Sequence, residues 1–189
     1  MSQFQVHTKQ TAPAASAELL GNAEKAYGFI PNLLGSMAES PATLKAYMAL
    51  GQIFNETSFT STERHVLTLA ASRFNECRYC MGAHSAAAGM QKVPADVISA
   101  IRNDQPIADS RLEALRRYVT AAVEQRGWLS DEDNNAFLTA GYTREQMLEV
   151  VLAIAYKTMS NYVNHIVDAP LDKAFAPAAW APAENRLAS

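Results

Sequence analysis

A chain of 189 residues, carrying 16 Lys and Arg against 19 Asp and Glu for a net charge of −3 and a pI near 5.8, has the size of one domain with a substantial core. That balance argues against nucleic acid or anionic lipid as the main partner, since both need a basic face. No apolar run approaches the roughly 20 residues of a membrane-spanning helix. The opening Met1-Ser2-Gln3-Phe4-Gln5-Val6-His7 has neither the basic start nor the apolar stretch of a secretory signal, so a cytoplasmic location is expected.

Alanine-rich composition and the lack of Val/Ile/Thr alternation predict an all-α chain. The first dozen residues read as a flexible arm, in which His7 has no role. Pro13 opens a helix to about Tyr27, with Gly28 as its stop and Pro31 just beyond. Ser40-Pro41 starts the next, running to about Glu56 with Leu44, Tyr47, Met48 and Leu50 as candidate core. Ser61-Thr62-Glu63-Arg64 begins a third, whose Val66, Leu67, Leu69 and Ala70 cover more than one face and so predict a deeply buried helix.

Asn75 is a candidate N-cap for a helix ending near Gly89. A short helix follows from Pro94 to about Arg102. Asp109-Ser110 caps one from Arg111 to about Arg126, with Leu112, Leu115, Val119 and Val123 at helical spacing. A brief helix runs from Ser130 to Gly141. Thr143 and Gln146 make a capping pair for the longest, Arg144 to about Asp168, with Met147, Val150, Val151, Ile154, Ala155 and Met159 as its apolar positions. Pro170 stops it. The expected organisation is an arm over 1–12, a helical domain over 13–175 and a tail over 176–189 that lies along the surface.

The only two cysteines are Cys77 and Cys80, in the run Asn75-Glu76-Cys77-Arg78-Tyr79-Cys80-Met81-Gly82-Ala83-His84. In a reducing compartment such a pair reads as redox-active or metal-binding rather than as a structural disulfide. If the helix begins just before Cys77, a turn of about 100° per residue places Cys77, Cys80 and His84 on one face. The helix start would favour the Cys77 thiolate, whereas His84 at i+4 could exchange a proton with Cys80. One thiol attacks a peroxide or disulfide and the other resolves the product. Glu63 and His65 stand upstream as possible extensions of the proton relay. In the last helix Asn161 and His165 lie one turn apart, with Lys157 a turn before them, as possible lining of a cleft.

The segment from Thr62-Glu63-Arg64 to Cys77-x-x-Cys80-x-x-x-His84 resembles the carboxymuconolactone decarboxylase superfamily, and within it the alkylhydroperoxidase D (AhpD)-like branch. Lys157-Thr158-Met159-Ser160-Asn161-Tyr162-Val163-Asn164-His165-Ile166, followed by Pro170-Leu171-Asp172, is similar to its peroxidase-related members. The resemblance implies an AhpD-like domain of about eight helices in a homo-oligomer, with the CxxC at the N-terminus of a central helix. It implies a cofactor-free antioxidant peroxidase of peroxiredoxin type, in which Cys80 attacks the hydroperoxide and Cys77 forms the redox-active disulfide. His84 and a glutamate would deprotonate Cys80, and a lipoyl or thioredoxin-like dithiol would reduce the pair. The relay glutamate of the family stands twelve residues before the first cysteine, where this chain has His65; Glu63 is the nearest carboxylate. Tyr79 stands where a well-known member has histidine, and Tyr79, Asn161 and His165 are expected in the substrate cleft.

Two other readings stay open. One is a lactone decarboxylase-type enzyme using His84 or His165 as general base. The other is a redox-sensing or zinc-binding oligomer, with Cys77, Cys80 and His84 joined by Glu63, His65, His165 or water.

Overall fold

The structure, a computed structural model, describes residues 4–182. Among these residues there are nine α-helices and one 3-10 helix and no strand. In chain order they are α1 (Ala14–Tyr27), α2 (Asn32–Met37), α3 (Pro41–Asn55), α4 (Ser61–Phe74), α5 (Arg78–Met90), α6 (Ala95–Arg102), α7 (Ser110–Glu124), α8 (Asp131–Thr139), α9 (Arg144–Val167) and the 3-10 helix Lys173–Ala178. The all-α, AhpD-like expectation holds. The additional element is α2, whose six residues are too short to show a helical period in sequence.

The stops and starts follow local chemistry. Gly28 takes φ 79° and closes α1 through its N–H to the Glu24 carbonyl. Capping boxes at Thr60/Glu63, Ser130/Asp133 and Thr143/Gln146 open α4, α8 and α9. Helix α4 is the hub and packs against α5, α6, α7 and α9. Its Val66, Leu67, Leu69 and Ala70 are all buried, as a helix without a solvent face requires.

Two apolar clusters flank this hub. The larger joins α4 to α6, α7, α8 and the first half of α9 around Leu115, Val119, Phe137 and Val150. The smaller, around Leu20, Leu33, Leu34 and Leu44, takes in Cys77, Tyr79 and Cys80.

Three expectations change. The arm is docked along α2: His7 N–H donates to the Gly35 carbonyl at 3.2 Å, and the buried His7 ring sets Nε2 2.8 Å from Glu39 Oε2. In α9, Val151 and Ala155 face solvent, while Lys157, Ser160 and Asn161 are buried. The helix is rotated from its apolar pattern because those polar groups find partners inside. Finally, the segment after α9 is a strap across α5. Gly82 permits that crossing, since a Cβ there would sit 3.0 Å from Leu171 Cδ1. Asp172 accepts from the Asn32 N–H, and Trp180 Nε1 donates to the Arg102 carbonyl at 3.0 Å. Residues 1–3 of the arm and 183–189 of the tail lie outside the described residues.

Candidate active site

The cysteine helix starts later than the sequence suggests. Asn75 is the C-cap of α4, not the N-cap of α5. Glu76 then adopts φ 53°, the left-handed conformation that ends a helix. With it, Glu76 and Cys77 donate their N–H groups to the carbonyls of Arg73 and Ser72, each at 3.1 Å. Cys77 is the extended N-cap of α5, and Cys80 is its third helical residue. The partial positive charge of the helix start therefore acts on Cys80 as well as Cys77, which removes the positional advantage expected for Cys77.

Both cysteines are free thiols, Cys77 fully buried and Cys80 2% exposed. Burial alone would push the Cys80 thiol up. It is outweighed by a hydrogen bond from Cys77, the charge of Lys157, and hydrogen bonding with Asn161 and Ser160, which bring Cys80 down to about 6. Cys77, as the donor to Cys80, is pushed strongly upward, with burial acting in the same direction. The pair is thus split into one thiolate and one thiol.

Helix α9 supplies the other wall. Lys157 Nζ lies 2.6 Å from His84 Nε2 and donates to Ser160 Oγ at 3.0 Å; Ser160 Oγ is 3.8 Å from Cys80 Sγ. Asn161 is fixed by Asn75 Nδ2 on its oxygen at 2.9 Å, and by Ser72 Oγ under its amide at 3.3 Å. Burial, then Lys157, then His65 depress the proton affinity of His84 well below the usual imidazole range, so His84 is neutral. A neutral His84 whose Nε2 faces an ammonium serves as its acceptor.

Above Cys80 opens a cavity of about 180 Å³ lined by Tyr27, Phe29, Tyr47, Tyr79, Tyr156 and Phe175, with Cys80 and His84 at its floor. Tyr156 stacks on Tyr47 at 4.9 Å between centroids. Tyr79 is also a clamp: its hydroxyl donates to Asp172 Oδ2 at 2.5 Å and accepts from the Leu33 N–H at 3.3 Å.

The fold therefore gathers Cys77, Cys80, His84, Tyr79 and Asn161, with His65 close enough to His84 to affect its charge. His65 itself is buried, which lowers its proton affinity against a hydrogen bond to Gln91. Two candidates fall elsewhere. Glu63 is turned away by its capping bonds to Thr60 at 2.8 Å and its ion pair with Arg111 at 3.2 Å. His165 is exposed and stacks on Tyr162, because the buried face of α9 passes through Asn161 and Asn164 instead. Lys157, which the sequence offered only as possible cleft lining, is instead in contact with His84 beside the cysteine pair. Its signal was a lysine inside an apolar helix with no acidic residue three or four places away.

Residues 41–124, from α3 through the cysteine helix to α7, match the carboxymuconolactone decarboxylase family. The fold is AhpD-like. An AhpD-core peroxidase-related protein from Ralstonia eutropha JMP134 aligns with a TM-score of 0.81 at 20% identity, over 92% of this chain and 94% of that one. A peroxidase-related protein from Silicibacter sp. TM1040 aligns with a TM-score of 0.79 at 16% identity, over 92% and 93%. The debrominase Bmp8, in a cysteine-to-alanine variant bound to 2,3,4-tribromopyrrole, aligns with a TM-score of 0.76 at 18% identity, over 94% and 97%. No curated protein matches the chain in sequence. No helix among the described residues is long and apolar enough to cross a membrane.

Proposed function

We propose that the protein is a cofactor-free thiol peroxidase or disulfide oxidoreductase, with Cys80 attacking and Cys77 resolving. The observation that carries this is the asymmetry of the pair: a Cys80 lowered to about 6 beside a Cys77 pushed up, at the floor of an apolar cavity. The Cys80 thiolate attacks the terminal oxygen of a hydroperoxide; the O–O bond breaks and the alkoxide leaves with a proton as alcohol. Cys77 then attacks the Cys80 sulfenic acid, releasing water and closing the disulfide. A lipoyl or thioredoxin-like dithiol restores both thiols. An apolar cavity of about 150 Å³ is enough for benzene, so the site suits an organic hydroperoxide.

Turnover of cumene hydroperoxide with a dithiol donor tests the reading. The wild type consumes peroxide, and Cys77→Ser and Cys80→Ser each abolish turnover; undiminished turnover in either variant rules it out.

The zinc reading fits less well. Lys157 occupies the Nε2 side of His84, and the described residues hold no group of three His, Cys, Asp or Glu placed for a metal ion. A general base at His165 has no access to the cavity. The aromatic walls favour one further reaction: attack of Cys80 on the halogen of a planar aromatic halide. Cys77 would then displace halide from sulfur while the ring carbon takes a proton, and release of bromide from a bromopyrrole would detect it. The homo-oligomer expected from sequence is supported by Leu148, Val151, Tyr162 and Ile166, exposed along one stripe of α9. Sedimentation as a monomer at micromolar concentration would rule it out.

A further inference from the structure

Lys157 is 0% exposed. Among the described residues no carboxylate pairs with it. A buried ammonium without a counter-charge is strongly disfavoured and gives up its proton. The groups facing it are few. From α5 come Cys77, Cys80 and His84, and from α4 His65 acts through His84. From α3 comes Tyr47, bonded to Tyr156 at 3.1 Å, and the Tyr156 ring lies 5.2 Å from Lys157 Nζ. Burial keeps both phenols protonated. The negative charge available to Lys157 is that of the cysteine pair, and that charge disappears whenever the disulfide forms.

We propose that Lys157 is the proton store of the cysteine pair, holding Cys80 as thiolate in the reduced protein and surrendering its proton through His84 when the pair is oxidised. This rests on the thiol-oxidation reading above. With a hydroperoxide, Cys77–SH, Cys80–S⁻, Lys157–NH₃⁺ and ROOH become the disulfide, ROH, H₂O and Lys157–NH₂. Two electrons pass from the two sulfurs to the O–O bond, and the proton on the alkoxide comes from Lys157. Reduction by a dithiol returns one proton to Cys77 and one to Lys157. Lys157 acts through His84, whose Nε2 it meets at 2.6 Å and whose ring lines the cavity.

Two measurements on the full chain test this, and neither needs a peroxide. The first is the rate of iodoacetamide alkylation of Cys80 against pH in wild type, Lys157→Met and Lys157→Arg. The wild-type midpoint should fall at about 6. Lys157→Met moves it to the ordinary cysteine range near 8.5, about thirtyfold less thiolate at pH 7. Lys157→Arg keeps it low. The second is proton uptake at pH 7.5 when hydroxyethyl disulfide oxidises the pair, read with an indicator in weak buffer. Wild type takes up no proton, because Lys157 supplies it, whereas Lys157→Arg takes up one per disulfide formed. An unshifted midpoint in Lys157→Met, uptake of one proton by the wild type, or none by Lys157→Arg overturns the proposal. Wild type and Lys157→Met decide the matter even where the arginine variant does not fold. Failure of peroxide turnover alone would sink the peroxidase reading and leave this test standing.

Discussion

Lys157 Nζ and His84 Nε2 meet at 2.6 Å inside the protein, joining α9 to the cysteine helix one turn beyond Cys80. Burial and then the Lys157 charge keep His84 neutral, and burial lowers Lys157 itself against the pull of the cysteine charges.

Cys77→Ser removes the resolving thiol but leaves Lys157, Ser160 and Asn161 beside Cys80. One equivalent of hydroperoxide should leave a sulfenic acid on Cys80 that dimedone traps at close to one per chain. The wild type, in which Cys77 closes the disulfide first, should give little adduct. Mass spectrometry of the labelled peptide reads the result.

His84→Asn takes away the imidazole between Lys157 and the cavity. Peroxide turnover should fall by about 10²-fold or more, the usual scale for losing a general acid–base group. Cys80 alkylation at pH 8 should change far less, since Lys157 remains. Stopped-flow peroxide consumption and alkylation on the same sample separate the two effects.

Glu63→Gln disturbs a cap and an ion pair with Arg111, not the cysteine pair. Stability should drop by about 1 kcal/mol, the scale of an N-cap, and the pH midpoint of Cys80 alkylation should stay in place. Urea unfolding and the alkylation profile together check this. A shifted midpoint would restore Glu63 to the relay.

Tyr79→Phe removes the hydroxyl between Asp172 and the Leu33 N–H. The cost should be about 1.5–3 kcal/mol, as for a buried hydrogen bond to a charged group. The strap carrying Phe175 should loosen, seen as faster amide exchange over residues 172–178.

The helices were legible because their punctuation was explicit: Gly28 after Tyr27, Pro41 behind Ser40, and Thr143 paired with Gln146. The start of α5 was not, because a glutamate rather than a glycine takes the left-handed stop at position 76. The cysteines and His84 stood out by rarity and spacing. Lys157 did not, since a sequence shows that a lysine interrupts an apolar helix but not that the interruption meets His84. The same limit misplaced His165, whose type suggested a cleft while its register on α9 sends it to solvent. Glu63 was visible twice over, as a possible base and as a capping residue, and the capping geometry decided its direction.

The most direct measurement is peptide-resolved alkylation of the reduced wild type from pH 4 to 10. The account predicts that Cys80 reacts with a midpoint of about 6 while Cys77 stays unreactive through neutral pH. Because the Cys80 value is lowered, its reactivity must be present above that midpoint and lost as the pH falls through it. Cys77 reacting first, or both thiols titrating together in the ordinary cysteine range, would contradict the account.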